Sequence, residues 1–167
     1  MKVAIVNFPG TNCERDTKYA FDKLGCETQI IWHKETDINA DLIVLPGGFS
    51  HGDYLRTAAI AKFSPVMKAV LAHAARGGYI LGICNGFQML LELGLLAGAM
   101  NKNINLSFIS KFHNLRVVSN DNKFLQCCDK DEILNIPIAH GEGNYYAPAD
   151  TLKSLYDEDC VLLKYCD

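Results

Sequence analysis

The stretch "YILGICNGFQMLLELGLL", residues 79–96, sets one cysteine between two glycines where an apolar run gives way to a helical pattern. A strand ending at Cys84 and a helix opening at Gly86 would hold the thiol on a sharp strand-to-helix turn, the elbow geometry of exposed nucleophiles. The unpaired N–H groups and the positive dipole end of that helix favour a thiolate and can hold an oxyanion. Attack on a carbonyl carbon is therefore the chemistry expected of Cys84. The competing reading is a small core hydrophobe, because free cysteine is among the most buried residue types.

A second segment, "PGGFSHGD" at 46–53, contains Gly-x-Ser-x-Gly from Gly48 through Ser50 to Gly52, and Gly-x-x-x-x-Gly from Gly47 to Gly52. Asp53 and Tyr54 stand where a phosphate loop needs Lys and Ser/Thr, so a nucleotide triphosphate site is excluded. Ser50 lies several residues past the strand-like run "DLIVLP", in a loop and not on a strand-end turn. Gly47, Gly48 and Phe49 are better placed to present backbone N–H groups to an oxyanion. Loops at the carboxyl ends of adjacent parallel strands converge, so this loop and the Cys84 turn should face one crevice.

A third segment, "IAHGEGNY", places His140 and Glu142 one residue apart, on one face if the chain is extended. That pair could supply a base and its orienter, or it could be a glycine-flanked turn whose histidine serves only structure. His33, His73 and His113 read as structural or surface residues. Cys127 and Cys128 are adjacent and read as inert, Trp32 and the phenylalanines read as core, and Cys13 at a helix start is a weaker reactive candidate than Cys84.

These residues need a scaffold. The runs "KVAIVNF", "TQIIWH", "DLIVLP" and "YILGIC" alternate with helical patterns at 14–24, 54–76 and 86–96, which predicts a parallel sheet in a doubly wound α/β fold. Continuous apolar strands predict burial on both sheet faces. Beyond Ala97 short β-like pieces ("NLSFIS", "NLRVVSN", "KFLQCC", "IPIAHGEGNYYA", "DCVLLKYCD") predict an antiparallel or mixed extension. With 167 residues and no linker-like segment, one domain over 1–167 is expected.

Composition narrows the partners. A net charge of −3 with scattered Lys and Arg argues against nucleic acid. No apolar segment has the length to span a bilayer, and the N-terminus lacks a signal-peptide pattern, so no membrane is expected. Seven cysteines show no Cys-x-x-Cys pair and no zinc spacing, which fits reduced thiols in the cytoplasm and no metal site.

Five segments in order, "FPGTNCERD", "LPGGFSHGDYLR", "GICNGFQMLLELGLLAGA", "NLRVVSN" and "PIAHGEGNYYA", resemble the glutamine amidotransferase subunits of phosphoribosylformylglycinamidine synthases, enzymes of purine biosynthesis. The likeness covers residues 1 to about 150; the cysteine motif by itself indicates only a class I glutamine amidotransferase. It implies a flavodoxin-like domain in which Cys84 attacks the side-chain amide of glutamine and forms a glutamyl thioester that water hydrolyses. It implies further that ammonia passes to a synthetase subunit, accompanied by a small third subunit. ATP and magnesium are expected on that synthetase, with no cofactor in this chain. Carried over by motif, the N–H groups of Gly48 and Asn85 form the oxyanion hole and Gln88 positions glutamine.

His51 stands where many relatives carry Tyr. The family's catalytic His and Glu lie in a Pro-His-Pro-Glu segment downstream of "HGEG", and none occurs before Asp167. The expectation is a C-terminally short chain with that part of the fold incomplete, the alternative being that His140 and Glu142 substitute. Two other classes use the same residues: a non-catalytic or redox-sensing cysteine protein of this fold, and a serine hydrolase built on Ser50.

Overall fold

Four apolar runs become four parallel strands: β1 (Lys2–Asn7), β2 (Glu27–Trp32), β3 (Leu42–Leu45) and β4 (Tyr79–Gly82). They lie in the order β2-β1-β3-β4, with Val3 opposite Leu42 and Leu45 opposite Gly82. The computed structural model describes residues 1–167, which form two compact units, 1–99 and 100–167.

In the first unit the pleat sends alternate residues to opposite faces. Ala4, Val6, Ile43 and Leu45 join Met67, Val70, Met89 and Leu90 in one core, and Val3, Ile5, Leu42 and Val44 join Phe21 and Leu81 in the other. Helices therefore cover both faces: α1 (Glu14–Lys23) lies on the second, and α2 (Val66–Ala75) and α3 (Asn85–Glu92) on the first. This is the doubly wound α/β architecture expected from the alternation. The strand order turns back between β1 and β3, and ligands of such sheets bind at the carboxyl ends beside that point.

The expected helix over 54–76 is shorter than its pattern. Leu55 and Ala58 have φ of 72° and 62°, a 3-10 turn occupies Ala61–Phe63, and Ser64 is extended ahead of Pro65. A proline disfavours helical geometry in the residue before it, so α2 begins only at Val66. At its other end α3 closes with Gly94 N–H bonded to the Leu91 carbonyl and Leu95 N–H to that of Leu90, both at 3.0 Å, a Schellman cap.

The second unit is antiparallel. β6 (Ile109–Val117) is flanked by β7 (Ile133–His140) and β9 (Leu163–Cys166), and the short β5 (Ala99–Asn101) pairs with β8 (Asn144–Tyr146). β6 takes in only Ile109 and Ser110 of "NLSFIS", whose first residues turn, and ends at Val117 within "NLRVVSN", while "KFLQCC" forms turns, with Asn122 Oδ1 accepting from the Phe124 and Leu125 N–H groups. The helix α4 (Ala149–Asp157) was not legible as a helix, and none of its residues is buried.

Aromatic residues correct a further expectation. Phe8 is core, but Trp32 is 42% exposed and Phe63 and Phe112 lie open to solvent. All seven cysteines are free thiols, and no helix is long and apolar enough to cross a membrane.

Candidate active site

Cys84 sits two residues beyond β4 as the cap residue of α3, with φ 52° and ψ −108°. A non-glycine residue in this region is strained, so the surrounding packing must hold it. The glycines supply that packing. A Cβ on Gly86 would lie 1.8 Å from the Leu45 carbonyl oxygen, and one on Gly82 2.8 Å from the Gly86 backbone. With hydrogen in both places α3 presses directly against β3 and β4, and the elbow is forced between them. Ile83 N–H donates to the Leu45 carbonyl at 2.9 Å and pins the approach.

Cys84 is exposed on the chain surface, and the Asn85 N–H donates to its sulfur, which favours the thiolate. Desolvation by the atoms packed around it is the larger effect, and the nearby Cys13 and Asp53 act in the same sense, so the thiol pKa is raised. Burial thus works against the helix start at Cys84, and the net effect is a raised thiol pKa.

The facing loop is built by an unusual ladder. Thr11 and Gly48 form an isolated antiparallel bridge in which Asn12 N–H donates to Gly47 O at 3.4 Å and Phe49 N–H to Gly10 O at 3.0 Å. The N–H of Phe49 is thus committed within the loop. Gly48 is the member of the non-hydrogen-bonded pair, whose N–H turns away from the ladder. Its φ is 136°, and a Cβ there would fall 2.5 Å from the Asn12 nitrogen, so only glycine fits. A Cβ on Gly47 would lie 3.4 Å from the Cys84 Cβ and 3.5 Å from the Cys13 sulfur, which places Gly47 between the two thiols. The structure therefore brings Gly47, Gly48, Cys84 and Asn85 together, with Gln88 one turn along α3 and its N–H donating to the Cys84 carbonyl at 3.2 Å.

Cys13 is no second activated thiol. Burial, with Asp16 and Glu14 nearby, raises its pKa. Ser50 is 1% exposed and its Oγ is enclosed without a hydrogen-bond partner, so no base stands within reach to activate it as a nucleophile.

The loop's own contacts were missed by the sequence reading. His51 packs its ring 5.4 Å from that of His33 and shares Ser64 Oγ with it, at 3.4 Å and 3.3 Å. His33 is buried, which lowers its pKa, with His51 and Lys34 contributing. His73 Nε2 bonds the Tyr79 carbonyl at 3.2 Å, and the His113 ring lies 5.2 Å from that of Tyr165, so both serve packing. No group of three or more His, Cys, Asp or Glu side chains is arranged to hold a metal ion.

In the second unit β7 ends at His140, and 141–143 turn, so His140 and Glu142 do not share the face of an extended strand. His140 Nδ1 bonds Asn103 Oδ1 at 2.9 Å, and the same oxygen accepts from Gly143 N–H at 3.0 Å. Asn103 Nδ2 donates to the His140 and Ser107 carbonyls. The imidazole is a strut of this turn.

A cysteine on a strained strand-to-helix elbow, packed against a Gly-Gly loop, on a parallel sheet of order 2-1-3-4, is the arrangement of an amidotransferase-type site. The chain belongs to the family of CobB/CobQ-like glutamine amidotransferase domains, whose model matches residues 1–167. It is similar to the phosphoribosylformylglycinamidine synthase subunit PurQ of Campylobacter jejuni, 70% identical over 165 residues that span 99% of this chain and 74% of that protein. The PurQ subunit of Sulfurimonas denitrificans is 59% identical, over 100% of this chain and 75% of its own length. Among solved structures, PurLQS from Thermotoga maritima superposes with a TM-score of 0.90 at 39% identity, over 99% of this chain and 74% of that one.

Proposed function

We propose that this chain is the glutaminase subunit of a phosphoribosylformylglycinamidine synthase, releasing ammonia from glutamine through a thioester on Cys84. The observation that carries the reading is the Cys84 elbow itself, with the Asn85 N–H on the sulfur and the Gly48 N–H turned out of its ladder across the gap.

The thiol, once deprotonated, attacks the glutamine side-chain carbonyl carbon. The oxygen becomes an oxyanion stabilised by the N–H groups of Gly48 and Asn85, and the C–N bond breaks as the nitrogen takes up the proton given up by the thiol, so that ammonia leaves as the thioester forms. Water then cleaves the thioester to glutamate and returns the thiol. Gln88, buried on α3, orients the substrate. Ammonia passes to an ATP- and magnesium-dependent synthetase subunit, with a small third subunit in the complex. The seven free thiols support a cytoplasmic setting.

A chloroketone analogue of glutamine tests this directly. Peptide mapping should find the label on Cys84, glutamine should block it, and the rate should keep rising as pH increases past the ordinary cysteine pKa, because burial raises that of Cys84. Labelling that glutamine does not block, or that falls on another cysteine, would overturn the reading.

A further inference from the structure

The segment Ser50–Asp53 departs from ordinary backbone more sharply than any other part of the first unit. His51, Gly52 and Asp53 have φ of 54°, 67° and 52°, three successive left-handed residues of which two are not glycine. Such a run persists only when its surroundings over-determine it. One side chain grips it at both ends. Asn85 Oδ1 accepts from the Ser50 N–H at 3.1 Å, and Asn85 Nδ2 donates to Asp53 Oδ1 at 3.3 Å and to Gln88 Oε1 at 3.1 Å.

The orientation of that amide is dictated by its neighbours. The Ser50 N–H can only donate, and the Asp53 carboxylate can only accept, so the oxygen must face the first and the nitrogen the second. Asn85 is 1% exposed, so water cannot replace a lost partner. Ser50 directly follows the Gly48-Phe49 pair, and Asn85 directly follows Cys84. The same residue that offers one oxyanion N–H from its backbone thus ties down, through its side chain, the loop that offers the other.

We propose that the Asn85 side chain, anchored by Asp53, is a positioning pair that sets the spacing between the Gly48 N–H and the Cys84 sulfur. This rests on the glutaminase reading above. Asp53 acts here by accepting from Asn85 Nδ2. The positioning role needs an acceptor at position 53 and is separate from the charge by which Asp53 helps raise the Cys84 pKa. Gln88, held by the other hydrogen of the same amide, is coupled to the pair, so the substrate-orienting side chain and the oxyanion loop share one support.

The test compares two reagents on the intact chain. A glutamine chloroketone alkylates the thiolate to a thioether with loss of chloride while its ketone oxygen is polarised by the oxyanion donors, whereas iodoacetamide alkylates the same thiolate with loss of iodide and without them. The ratio of the two Cys84 labelling rates at one pH cancels differences in thiolate fraction. Asn85→Ala should lower the ratio about thirtyfold or more, by loss of donor alignment. Asp53→Ala should lower it about tenfold. Asp53→Asn keeps an acceptor oxygen and should stay within about threefold of the wild type.

The double Asn85→Ala/Asp53→Ala variant should be no worse than Asn85→Ala by itself, since both act through one contact. If Asn85→Ala does not fold, the two Asp53 variants still decide the matter. A ratio unchanged in Asp53→Ala, an Asp53→Asn as impaired as Asp53→Ala, or effects of the two sites that simply add would each overturn the positioning role. A wild-type chain whose chloroketone labelling glutamine does not block would instead overturn the glutaminase reading, which distinguishes the two failures.

Discussion

The two units of this chain handle their polypeptide in opposite ways. In residues 1–99 the central strands β1 and β3 are buried along almost their whole length, their two pleat faces entering separate cores, while the edge strands β2 and β4 are more open. In residues 100–167 the strands are antiparallel, β7 alternates exposed and half-buried positions, and α4 buries nothing. The Cys84 elbow and the left-handed 51–53 segment lie in the densely packed unit, where neighbours can hold an unfavourable backbone. Side-chain amides brace turns in both units: Asn85 holds the 50–53 segment of the first, and Asn103 organises the HGEG turn of the second.

Removing each kind of support should expose that contrast. The largest effect is expected for Gly86→Ala, whose methyl would sit inside van der Waals contact of the Leu45 carbonyl. It should destabilise the first unit by about 4 kcal/mol or more, read as a collapse of thermal stability, because backbone on both sides cannot yield. A near-wild-type melting temperature would show that α3 is not wedged against β3.

Asn103→Ala comes next. It deletes the oxygen that holds His140 Nδ1 and the Gly143 N–H, and the donors to two carbonyls, from a residue that is 4% exposed. A loss of about 2–3 kcal/mol is expected, confined to faster amide exchange within residues 100–167. Equal loss of protection in β1 and β3 would break the contrast between the units.

The smallest effect has the opposite sign. Cys84→Gly abolishes labelling yet should raise stability by about 1 kcal/mol in a denaturant titration, since glycine tolerates φ of 52°. A destabilised Cys84→Gly would mean that the elbow is not strained and that the thiol itself contributes packing.

Much of the scaffold could be read in advance, because it rests on local periodicity. Continuous apolar runs specify strands covered on both faces, and the glycines at 82 and 86 announce a close strand-to-helix approach. The 54–76 segment misled because an apolar helical pattern carries no sign of the left-handed Leu55 and Ala58, whose conformation is imposed by their neighbours. Trp32 misled in the same way: aromatic bulk suggests core, yet the end of β2, an edge strand, leaves it partly in solvent.

The sequence by itself determined the cysteine at the elbow, its glycine-lined turn, the Gly-Gly loop packed beside it and the alternation that builds the parallel sheet. Each is a property of residues close together in the chain, where steric and hydrogen-bonding preferences act directly. Tertiary structure decided the rest. The pKa of the thiol depended on burial, with Cys13 and Asp53 from elsewhere in the chain acting in the same sense, which outweighs the Asn85 N–H and raises it. That Gly48 N–H turns outward depended on Thr11, 37 positions away in sequence by its bridge partner's numbering. That Asn85 grips both ends of a strained loop depended on α3 reaching 32 to 35 residues back along the chain. Long-range contacts of this kind form only when the sheet has closed, and no local pattern encodes them.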